Sequence, residues 1–169
     1  MRATRLDRSG TILILVAALG AISCVDIDGG AIEVSWVLRT DDGRAVGSCD
    51  CADPALGWVR LVVTPMDAQG PTGSDICAER MDCAFPCGAQ RGATPFFVAP
   101  GRYALSVAPV DVMGRVLAQG GTPEGKVRVP APILRDVVFG QPTQLDAIAI
   151  QAGCAAACNE NPTANVCAR

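Results

Sequence analysis

Arg102-Tyr103-Ala104-Leu105-Ser106-Val107-Ala108-Pro109-Val110 alternates along its length, with Tyr103, Leu105 and Val107 on one face. A period of two marks a half-buried strand, because successive side chains leave the backbone on opposite sides. Pro100-Gly101 precedes the run. Asp111-Val112-Met113-Gly114 follows it as a hairpin turn into Val116-Leu117-Ala118. The same signature recurs on both sides. Upstream, Ile32-Glu33-Val34-Ser35-Trp36-Val37-Leu38 predicts a first strand with Ile32, Val34 and Trp36 facing the core. Asp42-Gly43 is a turn signal. Trp58-Val59-Arg60-Leu61-Val62-Val63-Thr64 predicts a second strand, and Phe96-Phe97-Val98 a short third one. Downstream, Lys126-Val127-Arg128-Val129, Ile133 to Phe139 and Leu145 to Ile150 complete the set.

The bulk composition agrees. The chain has 169 residues, half of them hydrophobic, with 18 Gly and 12 Pro. Many of the Gly and Pro fall between apolar runs, and no long helical period or internal repeat is present. The expectation is an all-β fold: a single antiparallel β-sandwich of about seven strands over residues 31–152. Residues 74–93 hold three cysteines and few β-branched residues. They read as an irregular, disulfide-held insertion. Residues 153–169 read as a disulfide-pinned tail.

Val98-Ala99-Pro100-Gly101-Arg102-Tyr103-Ala104-Leu105-Ser106-Val107 resembles the PG-x-Y-x-l-x-V strand of prealbumin-like and carboxypeptidase-regulatory-like sandwiches. A wider pattern runs from Trp36 through Cys51 and Val59-Arg60-Leu61 to Phe85-Pro86-Cys87 and Pro100-Gly101-x-Tyr103. It is similar to uncharacterised lipoproteins common in myxobacteria. The resemblance spans roughly residues 31–150 and rests mostly on turn chemistry. It implies the sandwich fold and a periplasmic or cell-surface setting. It implies no catalytic residues, because such sandwiches are generally accessory or binding modules.

The N-terminus carries Arg2, Arg5 and Arg8 against Asp7, followed by an uncharged apolar run from Thr11 to Ile22. Twelve residues are too few for a helix to span a bilayer, which needs about 20. A basic segment, a short apolar run and small residues at its exit describe a signal peptide over residues 1–23. Leu19-Gly20-Ala21-Ile22-Ser23-Cys24 resembles a bacterial lipobox, with Ala21 where leucine is usual. Cys24 is therefore the expected lipidation site, and residues 24–30 a lipidated spacer. Cleavage after Ser23 by an ordinary signal peptidase is the alternative, since Ala21-x-Ser23 is also small-x-small. Val25 is not the aspartate associated with inner-membrane retention. The expected location is the bacterial outer membrane, at its periplasmic face or the cell surface. Acyl chains would hold the protein there without a polypeptide span.

Nine cysteines are present, an odd number. Setting Cys24 aside leaves Cys49, Cys51, Cys77, Cys83, Cys87, Cys154, Cys158 and Cys167, enough for four disulfides in an oxidising compartment. Sequence spacing does not dictate connectivity. The favoured arrangement joins Cys51 to Cys87 and closes a small Cys77–Cys83 loop. It then ties Cys49 to the tail and closes a loop within it. Zinc is disfavoured: no cysteine pair has the two-residue spacer common in zinc ribbons, and histidine is absent. A thioredoxin-like Cys-x-x-Cys is also missing.

Catalytic constellations are hard to build from this composition. Without histidine there is no Ser-His-Asp or Cys-His site. Lys126, the one lysine, reads as a surface residue. Asp26/Asp28, Asp41/Asp42 and Asp50/Asp53 are close carboxylate pairs, but they lie in turns and spacers. Seven aromatics offer little to line a glycosidase cleft. Asp26-x-Asp28-Gly29 is a fragment of a calcium loop, and Asp50-x-x-Asp53 is a somewhat better one; both lack further ligands. Gly120-Gly121 lacks the helix and Lys-Ser/Thr of a phosphate loop. Trp36 and Trp58 lie in apolar strand patterns and are expected to be buried rather than to stack on sugars. Net charge is −3 for the whole chain. Removing residues 1–23 leaves 11 basic and 16 acidic residues, so nucleic acid is an unfavourable partner.

The expected function is non-catalytic, with no cofactor or metal. It is a cell-envelope lipoprotein acting as a binding or structural module, with membrane lipid as one partner and an envelope protein or glycan as the other. The loops, especially 74–93, would carry the contact. The alternative is a secreted protease inhibitor presenting a disulfide-held loop 77–87, which would have to be extended and exposed.

Overall fold

The computed structural model describes residues 27–123, 126–155 and 158. Its regular elements are strands and single 3-10 turns. The strands are β1 (Ala31–Arg39), β2 (Ala52–Asp53), β3 (Leu56–Pro65), β4 (Ala84–Pro86), β5 (Arg91–Ala93) and β6 (Gly101–Asp111). They continue with β7 (Ala118–Gln119), β8 (Thr122–Pro123), β9 (Ile133–Val137), β10 (Pro142–Gln144), β11 (Ile148–Gln151) and β12 (Gly153–Cys154). Among the described residues the fold is all-β, as the alternation predicts.

Two sheets carry the fold. The larger has the order β4-β3-β6-β9 and is antiparallel throughout. In the smaller, β1 is central. β5 runs antiparallel along Glu33–Ser35, while β10 and β11 run parallel along Ala31–Glu33 and Trp36–Arg39. The antiparallel expectation therefore holds for the larger sheet and not for the smaller. Alternation shows which side chains face inward but is blind to the direction of a neighbouring strand.

One apolar core joins the sheets. Ile32, Val34, Trp36 and Leu38 of β1 meet Val59, Leu61 and Val63 of β3 and Tyr103, Leu105 and Val107 of β6. The predicted core faces of β1 and β6 are thus correct. Tyr103 also donates its hydroxyl to the Ala99 carbonyl at 2.8 Å, which satisfies the one polar group the ring brings inside. The hairpin turn after β6 is built on Asp111. This carboxylate is buried and accepts the Met113 and Arg115 amides at 2.8 and 2.9 Å and the Arg115 guanidinium at 2.7 Å. Gly114 supplies the left-handed φ of 84° that closes the turn.

Three local expectations are corrected. Phe96-Phe97-Val98 is not a strand; only Val98 bridges, to Gly30. The Phe97 amide turns back to the Pro95 carbonyl at 2.9 Å and is lost to any ladder, while that of Val98 reaches Gly30. Residues 74–93 are not purely irregular, since β4 joins the larger sheet and β5 the smaller. Trp58 is not buried: 43% of it is exposed, while Trp36 is inside. Val59, Leu61 and Val63 take the core face of β3, so Trp58 and Arg60 share the outer one.

Candidate functional site

The disulfides determine which loops are rigid, so they come first. Cys49 is bonded to Cys87, Cys51 to Cys158, and Cys77 to Cys83. Cys154 is disulfide-bonded as well. The Cys77–Cys83 loop is as expected. The Cys51–Cys87 pairing is corrected: Cys87 takes Cys49, and it is Cys51 that reaches the tail. Cys49 and Cys51 both sit in the 3-10 turn Cys49–Cys51. With three residues per turn, positions two apart point in different directions and find different partners. The tail is pinned up to its described end, by the β2–β12 ladder and an Ala155 amide donated to the Cys51 carbonyl at 2.8 Å. Cys24 and Cys167 lie outside the described residues.

The insertion is anchored at several points. The Cys87 carbonyl accepts the Trp36 indole Nε1–H at 3.0 Å inside the core. Asp75 accepts the Val63 and Cys77 amides, each at 2.9 Å, and holds the start of the insertion against β3. The Arg80 guanidinium stacks over the Phe97 ring at 3.6 Å and pairs with Asp82. An inhibitor loop over 77–87 would have to be extended and free. Here residues 78–81 are exposed, but residues 77–83 are closed by their own disulfide and 84–86 are hydrogen-bonded into the larger sheet, so the loop is not extended along its length.

Two of the concave surfaces among the described residues adjoin β1. The first lies on the outer face of the smaller sheet, a shallow cleft of about 540 Å³. Register places Ser35 beside Arg91, and Glu33 between Ala93 and Gln144. Gln144 donates its amide to Glu33 at 3.1 Å. Arg91 is exposed and makes no ion pair among the described residues. The cleft therefore presents a guanidinium, a hydroxyl, a carboxylate and an amide around a small Ala93 floor. Such a set binds polar ligands through hydrogen bonds. The second surface is a groove of about 410 Å³ at the end of the sandwich that holds two of the disulfides. It is lined by Val46, the Cys49–Cys87 bridge, Leu56 and Val112.

The carboxylate pairs do not converge. Asp53 pairs with Lys126 at 2.7 Å, on the surface, and this contact raises the lysine pKa above its ordinary value. Asp42 accepts the Thr40 hydroxyl and pairs with Arg44 in a local turn, which lowers its pKa. Asp26 lies outside the described residues. Among the described residues no three His, Cys, Asp or Glu side chains are placed to hold a metal. Gly120 and Gly121 form the tight turn between β7 and β8, at φ 58° and 82°.

Comparison with known protein families, curated proteins and solved structures finds no match for this chain. The surface features must therefore be read from their own chemistry. Glu33, Ser35, Arg91 and Gln144 did not stand out in the sequence. Glu33 and Ser35 were visible only as the outward positions of β1. Arg91 and Gln144 become their neighbours only through strand pairing.

Proposed function

We propose that this chain is a cell-envelope lipoprotein, anchored through Cys24, that acts as a non-catalytic binding or structural module. The observation that carries the proposal is the disulfide framework. Cys49–Cys87, Cys51–Cys158, Cys77–Cys83 and a bonded Cys154 account for all seven described cysteines. Such a set suits an exported protein. The basic and apolar leader ending at Cys24 supports the same compartment. A rigid sandwich with an exposed polar sheet face suits a contact role. The cleft bearing Glu33, Ser35, Arg91 and Gln144 is the proposed contact surface, and its chemistry fits a polar envelope protein or a glycan. The likeness to myxobacterial-type lipoproteins with prealbumin-like sandwiches belongs to the same proposal.

Mass spectrometry of the mature protein, with and without reductant, tests it. The expected mass starts at an acylated Cys24, with the other eight cysteines oxidised. An unmodified Cys24, or a free thiol among the eight, would overturn it.

A further inference from the structure

The anchor proposed above has a geometric consequence, because the folded domain begins almost at Cys24. Asp28 donates its amide to the Phe96 carbonyl at 3.0 Å, and Gly30 exchanges backbone hydrogen bonds with Val98 at 2.8 and 3.1 Å. The spacer assigned to residues 24–30 is therefore docked on the sandwich from Asp28 onward. Ile27 is three residues from Cys24, and three residues reach about 11 Å at full extension. The headgroup layer on each side of a bilayer is itself roughly 6 Å deep. An acylated Cys24 leaves no room for a leash, and the end of the domain that carries Ile27 must meet the lipid surface.

That end is apolar where it would touch. Gly29 accepts the Gly140 amide at 2.9 Å, and Ala31 donates to the Gln141 carbonyl at 3.1 Å, so the turn after β9 lies against the entering chain. Gly30 is packed so closely that a Cβ there would sit 2.6 Å from the Val138 carbonyl oxygen. The turn exposes Val138 (49%) and Phe139 (57%), and Ile27 (45%) stands two residues before Gly29, to which that turn is hydrogen-bonded. Large apolar groups held in water are costly, while the boundary between headgroups and acyl chains accepts them. Asp28, exposed next to Ile27, limits the insertion to a shallow depth.

We propose that Ile27, Val138 and Phe139 form a lipid-contacting rim that seats the domain directly on the membrane holding Cys24. The inference rests on the lipid anchor of the previous subsection. The rim is a second contact, made by the fold, which fixes orientation and turns the disulfide-bonded end of the sandwich away from the bilayer.

The test uses the full acylated protein carrying Phe139→Trp, reconstituted in vesicles of phosphatidylethanolamine and phosphatidylglycerol. The conservative change sits at an exposed turn, and an unchanged thermal unfolding midpoint reports that the fold is intact. The introduced indole should shift to the blue, lose most of its quenching by acrylamide and gain quenching by lipids labelled near the headgroup. Subtracting the same protein without the change isolates its signal. A mature chain without acyl groups overturns the anchor and the rim together. An acylated chain that pellets with vesicles, but whose introduced indole stays as open to acrylamide as in the Cys24→Ser protein in solution, overturns the rim alone.

Discussion

The Trp36 indole donates its Nε1–H to the carbonyl of Cys87, at 3.0 Å, from opposite ends of 51 residues of sequence. The contact joins the centre of β1 to the insertion at the point where Cys49 is also bonded. Both partners are buried, and losing the indole leaves the carbonyl with the Gln90 amide alone, accepted at 3.2 Å. Trp36→Phe should cost about 0.5–1.5 kcal/mol for the lost hydrogen bond. Trp36→Ala should cost about 3–5 kcal/mol, with the cavity added. Urea unfolding of the oxidised protein distinguishes the two, and equal losses would contradict this account.

The three described bridges should differ in value by the chain each one closes. Cys51–Cys158 spans a separation of 107, Cys49–Cys87 one of 38 and Cys77–Cys83 one of 6. Loop-closure entropy gives upper values of about 4–5, 4 and 2 kcal/mol respectively. Paired Cys→Ser replacements, followed by thermal unfolding, should reproduce that order.

Tyr103 offers a test at alkaline pH. It is the only tyrosine in the chain, so tyrosinate absorbance reports it without interference. Burial raises its pKa above the ordinary value. A raised folded pKa stabilises the fold below the unfolded value of about 10 and loses that contribution as pH rises through the folded one. Stability should therefore fall above about pH 10, and Tyr103→Phe should flatten the fall. At neutral pH the same change should cost about 0.5–1.5 kcal/mol, through the lost bond to Ala99.

Asp111 tests the acid side. The Arg115 and Met113 amides and the Arg115 guanidinium hold its pKa below the ordinary carboxylate value. A depressed folded pKa contributes stability above the unfolded value of about 4, and the contribution disappears as pH falls through the folded one. Asp111→Asn should lower the urea midpoint at neutral pH. The gap from the parent protein should narrow below about pH 4.

The strands that alternate cleanly were legible in the sequence. β1 and β6 place their large residues as the period of two requires. The size of Trp58 suggests burial, but its parity decides: it shares a face with Arg60, and the alternation of Val59, Leu61 and Val63 leaves that face outside. Cysteine pairing was hidden because direction, rather than spacing, separates Cys49 from Cys51 within one 3-10 turn. β4 and β5 are three residues each, too short to show a period, and only tertiary pairing makes them strands. The cleft polar groups were equally hidden, since Glu33 meets Ala93 and Gln144 across separations that no local pattern encodes.

The division of residues 84–93 between the two sheets also governs how copies of this molecule meet one another. A long unpaired margin of a sheet invites a second chain to add on, which is the usual first step towards aggregation. Here β4 and β5 form margins of three residues each, and the parallel partners of β1 are interrupted between Gln144 and Ile148. The margin at β9 is five residues long and carries Arg135 and Asp136. Among the described residues, no margin is long enough to template a second strand along its length. Copies held side by side at high local density can therefore remain separate molecules.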